Sequence, residues 1–149
     1  MTNEVLPKID AFRFIETGDA CSGEVPIARL ERLFDRLPET MDPAEAGMLA
    51  WQVRGVHDAM GRPALEIAVE GTFPLVCQRC LQPLKWPVAQ RTVVLVAPTP
   101  EALAELDDEV EQEVILGSKA LEVLALVEDE LLLTLPFVPK HETDCETGT

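Results

Sequence analysis

Cys77 and Cys80 stand two residues apart in the stretch VCQRCLQPL, residues 76–84, and are half of the chain's four cysteines. Thiolates at this spacing serve as one half of a tetrahedral zinc site. They serve as a redox couple when the pair opens a helix after a strand, where the dipole lowers a thiol pKa. Here Pro83 follows the second cysteine by three residues and a strand-like run comes next, which disfavours the redox reading. A structural zinc takes four ligands, and two more donors stand near the C-terminus, His141 and Cys145 in an HxxxC arrangement. Cys77, Cys80, His141 and Cys145 are therefore the candidate ligands of a Zn2+ ion that would staple the tail to the CxxC segment. Cys21 is a reserve ligand, although an isolated cysteine is more often a small core residue. Packed or partner-facing thiols without a metal are the plain alternative.

Other chemistry is sparse. His57 falls inside a predicted strand and reads as a surface or packed residue. The chain has no nucleophile elbow, no P-loop and no dinucleotide fingerprint, so a non-enzymatic protein is expected. Glu128, Asp129 and Glu130 are three consecutive carboxylates that would suggest a cation site. On a helix, however, consecutive side chains point in different directions, so a solvated patch is the expectation.

The elements that must position these residues belong to a chain of 149 residues, long enough for one domain with an aliphatic core. No apolar run approaches the ~20 residues that span a bilayer. The N-terminus MTNEVLPKID lacks the pattern of a signal peptide. Both point to the cytoplasm, where cysteines stay reduced. The net charge of −15 repels phosphate backbones and lacks the basic footprint of a nucleic-acid binder, so tight direct RNA binding is not expected. The same charge attracts basic protein partners, or simply keeps the fold soluble.

Ile27, Leu30, Leu33, Phe34 and Leu37 recur at helical spacing between Pro26 and Pro38, which predicts a helix over 24–37. WQVRGVHD reads as a strand. In LEIAVEGTF, Leu65, Ile67, Val69 and Phe73 alternate with Glu66, Glu70 and Thr72, the pattern of a half-buried antiparallel strand. WPVAQRTVVLVAP is the next strand, which places VCQRCLQPLK at a hairpin tip. Residues 99–113 read as an acidic loop or frayed helix, with seven acids in the thirteen residues of EALAELDDEVEQE. They form either a solvated connection or a docking strip for a basic partner. Further strands are expected from the N-terminal residues and from 110–116. A helix is predicted over 119–134, with Ser118 as N-cap and Leu121, Leu124, Val127, Leu131 and Leu135 on its apolar face. A tail runs over 136–149. The fold class is α+β: a single domain, expected as a monomer, with an antiparallel sheet that could curl toward a barrel and two flanking helices.

Two blocks, CQRCLQPL at 77–84 and LVEDELLLTLPFVPKH at 126–141 with the following Cys145, resemble the YceD family of large ribosomal RNA subunit accumulation proteins. The resemblance covers roughly residues 50–145 and extends more weakly over the N-terminal third. Cys77, Arg79 and Cys80 match its first block, and Glu128, Asp129 and Glu130 its second. Pro136, Pro139, His141 and Cys145 match the closing block. The resemblance implies a non-enzymatic role in accumulation of large-subunit ribosomal RNA. Genes of the family often neighbour one for a small basic ribosomal protein. Members often continue past the last cysteine into a short basic tail, whereas this sequence ends at Thr149. Together with the charge, this makes a ribosomal protein or the assembling large subunit the expected partner, with Arg79, Glu128, Asp129 and Glu130 as candidate contact residues. A zinc-stabilised interaction module unrelated to ribosomes, and a CxxC thiol-redox protein, are the alternatives.

Overall fold

The computed structural model describes residues 7–136 and 139. The elements follow in the order β1 (Lys8–Ile9), α1 (Ala11–Glu16), β2 (Ala20–Pro26), three short 3-10 turns, β3 (Met48–His57), β4 (Pro63–Val76), β5 (Pro83–Ala97), α2 (Pro100–Glu109), β6 (Val114–Leu116), β7 (Leu121–Glu122) and α3 (Val123–Thr134). Strands β2, β3, β4, β5 and β6 lie side by side in that order in one sheet, while β1 and β7 form a separate antiparallel pair. Pairing is antiparallel from β2 to β5, and β6 joins β5 in parallel.

Period-two alternation builds the sheet as the sequence predicts. Leu65, Ile67, Val69 and Phe73 of β4 and Leu49, Trp51 and Val53 of β3 face one side and are buried. On that side they form one apolar cluster with Phe14 and Ile15 of α1, Leu30 and Leu33 of the 3-10 segment, and Val127 and Leu131 of α3. The opposite side faces water and carries an ion-pair network in which Glu66 meets Arg54 at 2.7 Å and Arg91 at 3.3 Å. Strands β2 and β6 are the two edges of the sheet and do not pair with each other. The sheet stays open, and the barrel alternative is set aside.

Three expectations need correction. The predicted helix over 24–37 is strand as far as Pro26 and then two 3-10 turns, Ile27–Arg29 and Glu31–Arg36. Ile27, Leu30 and Leu33 are fully buried, and their spacing of three is the repeat of a 3-10 helix, whose side chains at i and i+3 eclipse. The acidic stretch, read as a loop or a frayed helix, is the helix α2 as far as Glu109: Thr99 caps it, its hydroxyl accepting from the Ala102 amide at 3.1 Å, and Pro100 begins it. The C-terminal helix starts at Val123, with Glu122 and not Ser118 at its N-cap. Leu121 and Glu122 pair with Ile9 and Lys8, and the Val123 amide donates to the Pro7 carbonyl at 3.1 Å. The N-terminal strand thus occupies backbone that an earlier helix start would need. Among the described residues no helix is long and apolar enough to cross a membrane.

Close approach of α1 to β3 is set at Gly55. A Cβ there would lie 2.6 Å from both the Ile15 Cα and the Phe14 carbonyl oxygen, and backbone atoms cannot yield as a flexible side chain can. Gly55→Ala is expected to cost about 1–3 kcal/mol by overpacking, read as a lower urea midpoint with an unchanged slope. An unshifted midpoint would show that α1 is free to lift.

Candidate functional site

The β4–β5 pairing runs out to Val76 opposite Pro83, leaving residues 77–82 as the hairpin tip. Within the tip, the Cys77 amide donates to the Gln82 carbonyl at 3.0 Å and the Leu81 amide to the Cys77 carbonyl at 2.8 Å. The Arg79 amide points at the Cys77 Sγ, 3.4 Å away. Leu81, directly after the second cysteine, has φ of 63° and is the only non-glycine at positive φ among the described residues. Cys77 is buried and Cys80 half-buried, whereas Gln78, Arg79 and Leu81 are exposed. The Gln78 amide donates to the Pro139 carbonyl at 2.8 Å, so the chain beyond α3 returns to the tip. Between the tip and the chain at the end of the 3-10 segment lies a groove of about 550 Å³ of mixed character, with Leu37, Leu75 and Leu81 beside Asp35, Arg36 and Glu39.

His141 and Cys145 lie outside the described residues. Among the described residues no three His, Cys, Asp or Glu side chains are grouped to hold a metal ion. Cys21 is not available as a reserve ligand. It pairs with Val53, which pairs with Ile67, so it lies level with a residue about 33 Å of extended strand from Cys77. Burial first, and then the charge of Asp19, push its thiol pKa up. His57 is exposed at the end of β3.

The three carboxylates of the VEDE block separate. Glu128 and Glu130 are buried and only Asp129 reaches solvent, which corrects the expectation of a solvated patch. Arg32 of the 3-10 segment joins two of them to the N-terminal third. Its amide donates to Glu128 Oε2 at 3.4 Å, and its guanidinium lies 3.6 Å from Glu128 Oε1 and 2.7 Å from Asp129 Oδ1. Glu130 accepts instead from the Thr92 hydroxyl of β5, which accepts from the Gln90 side-chain Nε2 at 3.1 Å. Glu113, just before β6, faces the same cluster. Partial burial, with the charges of Asp129 and Glu130, raises its carboxyl pKa. The inward turn of Glu128 and Glu130 leaves no signal in a helical periodicity, because apolar residues stand on every side of α3, including the exposed Leu133. Of the four candidate contact residues, Arg79 and Asp129 are the ones on the surface.

The described residues thus form a small α+β fold with a hairpin tip at one end of the sheet and an acidic helix. The family model described as Large ribosomal RNA subunit accumulation protein YceD matches residues 65–149, and the chain belongs to that family. The match starts within β4 and takes in the tip, α2, α3 and the tail, while the weaker resemblance over the N-terminal third falls outside it. No curated protein and no solved structure matches the chain.

The two acidic neighbours on α3 are expected to behave differently. Glu128→Ala removes a buried acceptor of the Arg32 amide and the ion pair with its guanidinium, and should cost about 1–3 kcal/mol. Asp129→Ala, at a surface pair, should cost less than about 1 kcal/mol. Urea unfolding of both variants checks the order, and equal losses would contradict the inward assignment of Glu128.

Proposed function

We propose that this protein is a non-enzymatic cytoplasmic factor that promotes accumulation of large-subunit ribosomal RNA by binding a basic protein component of the assembling subunit. Membership of the family supports the ribosomal setting. The observation that carries the mode of action is α2. No residue of this helix is buried, and its last turn holds no basic residue. Glu101, Glu105, Asp107, Asp108 and Glu109 are all exposed, and none of them forms an ion pair among the described residues.

Carboxylates near a helix C-terminus face the negative end of its dipole and destabilise it. Asp107, Asp108 and Glu109 crowd that end of α2. A cationic partner relieves both their mutual repulsion and their repulsion by the dipole, so the stretch gains most when it is occupied. Direct capture of RNA has the opposite sign, because a net charge of −15 opposes phosphate approach.

Purified protein mixed at physiological salt with isolated large-subunit ribosomal proteins, and separately with large-subunit ribosomal RNA, tests the reading. Binding to one or more basic proteins is expected, weakening as salt rises. Neutralising α2 with Asp107→Asn, Asp108→Asn and Glu109→Gln together should weaken that binding at least about tenfold, while thermal stability holds or rises because the dipole clash is gone. Tight binding to the RNA with indifference to the proteins would overturn the reading.

A further inference from the structure

We infer that the free edge of β2 is a docking site at which an extended basic segment of a partner protein adds to the sheet as a further antiparallel strand. The site lies at the edge of the sheet opposite β6 and does not rest on the reading of α2.

The register of β2 on β3 decides which backbone groups are free. The Asp19 carbonyl accepts from the Gly55 amide, and the Gly47 carbonyl from the Ile27 amide, each at 2.9 Å. Between those bonds, Cys21, Gly23 and Val25 stand opposite Val53, Trp51 and Leu49. Antiparallel ladders bond alternate residues, so these three face β3, while Ala20, Ser22 and Glu24 turn their amides and carbonyls outward. The Ala20 amide is taken by the Asp19 carboxylate at 2.9 Å, and Pro26 has no N–H. Ser22 and Glu24 therefore offer donors, and Ala20, Ser22 and Glu24 offer acceptors, all on exposed residues. Edge strands are ordinarily guarded by lysine, a bulge or a covering element. β2 has neither lysine nor bulge over this stretch, whereas the other edge, β6, is only three residues long. On the packed side the Trp51 indole lies against Gly23, where a Cβ would meet it at 3.3 Å, and its buried Nε1 finds no acceptor among the described residues. The indole is thus a reporter built into the edge.

Charge selects the occupant. The side chains of Ser22 and Glu24 face the solvated side of the sheet, where Glu24, Ala50 and Glu70 form one cross-strand row. Glu24 and Glu70 are exposed, and neither has an ion-pair partner among the described residues. Arg54 and Arg91 on the same side both pair with Glu66 instead. A shallow depression of about 300 Å³, lined by Ser22, Ala50, Gln52, Ala68, Glu70 and Arg91, opens beside the edge. A lysine opposite Glu24 on an added strand lays its alkyl stem over Ala50 and brings its ammonium between the two glutamates. A second copy of the chain would instead bring another net charge of −15 to the same edge, which disfavours self-pairing.

Heteronuclear NMR of the full chain, titrated with a short peptide alternating threonine and lysine, tests the inference. Shifts are expected at the Ser22, Gly23 and Glu24 amides and at the Trp51 indole N–H, with slowed exchange of the Ser22 and Glu24 amides. Methylating the lysine amides, which face β2 when lysine stands opposite Glu24, should weaken binding at least about tenfold, because main-chain hydrogen bonds carry strand addition. Ser22→Pro, tolerated where an edge N–H faces solvent, and Glu24→Lys should each have a similar effect. Neutralising Asp107, Asp108 and Glu109 should leave this binding unchanged, so the two surfaces are tested separately. If Ser22→Pro fails to fold, Glu24→Lys and the methylated peptide carry the test. A peptide that leaves residues 22–24 unmoved, or that binds as tightly when methylated, overturns the inference. So does self-association of the free chain that Ser22→Pro abolishes, because the edge then belongs to a second copy.

Discussion

The register of β4 against β5 is the constraint on which the rest of the structure depends. The two strands pair continuously from Ala64 opposite Leu95 to Val76 opposite Pro83. A slip of one residue would turn Leu65, Ile67, Val69 and Phe73 toward water and bring the glutamates between them into the core. The same register sends the CxxC turn out at one end of the hairpin and starts α2 and β6 from the other. The tip and the acidic helix are therefore held apart on a single rigid ribbon.

Helix α3 ties Pro7 and the 3-10 segment to that ribbon. Its packed side puts Val127 and Leu131 in the central cluster with Leu126 also buried, while Leu133 and Asp129 face solvent. Burying carboxylates in such a helix is costly unless each has partners. Glu128 finds them in Arg32, and Glu130 in the Thr92 hydroxyl. Each contact joins α3 to a different element, one to the 3-10 segment and one to β5. The VEDE block thus fixes where α3 sits, and the chain leaving it arrives at the hairpin tip through Pro139.

The strands were legible because a half-buried antiparallel sheet writes its faces directly into alternate residues, as in β4. The hairpin tip followed from the strands on either side of it. The 3-10 segment was misread as an α-helix because Ile27, Leu30 and Leu33 satisfy a period of three as well as one of 3.6. In α2, the density of charge concealed a start signal that Thr99 and Pro100 do carry. The delayed start of α3 depends on pairing with Lys8 and Ile9, a contact between segments more than a hundred residues apart that no local pattern records. For the candidate site, residue types are legible along the chain but their sorting comes only with the fold: Glu128 and Glu130 inward, Asp129 and Arg79 outward, Cys21 remote from the tip.

We propose that this acidic member of a ribosomal RNA accumulation family meets the assembling subunit through protein and not through RNA. The most direct measurement places a photo-crosslinking amino acid at Glu105, on the exposed surface of α2, and irradiates growing cells. Crosslinks to a basic large-subunit ribosomal protein, suppressed when Asp107, Asp108 and Glu109 are neutralised, are the predicted result. Crosslinks from this position mainly to large-subunit ribosomal RNA would contradict the account.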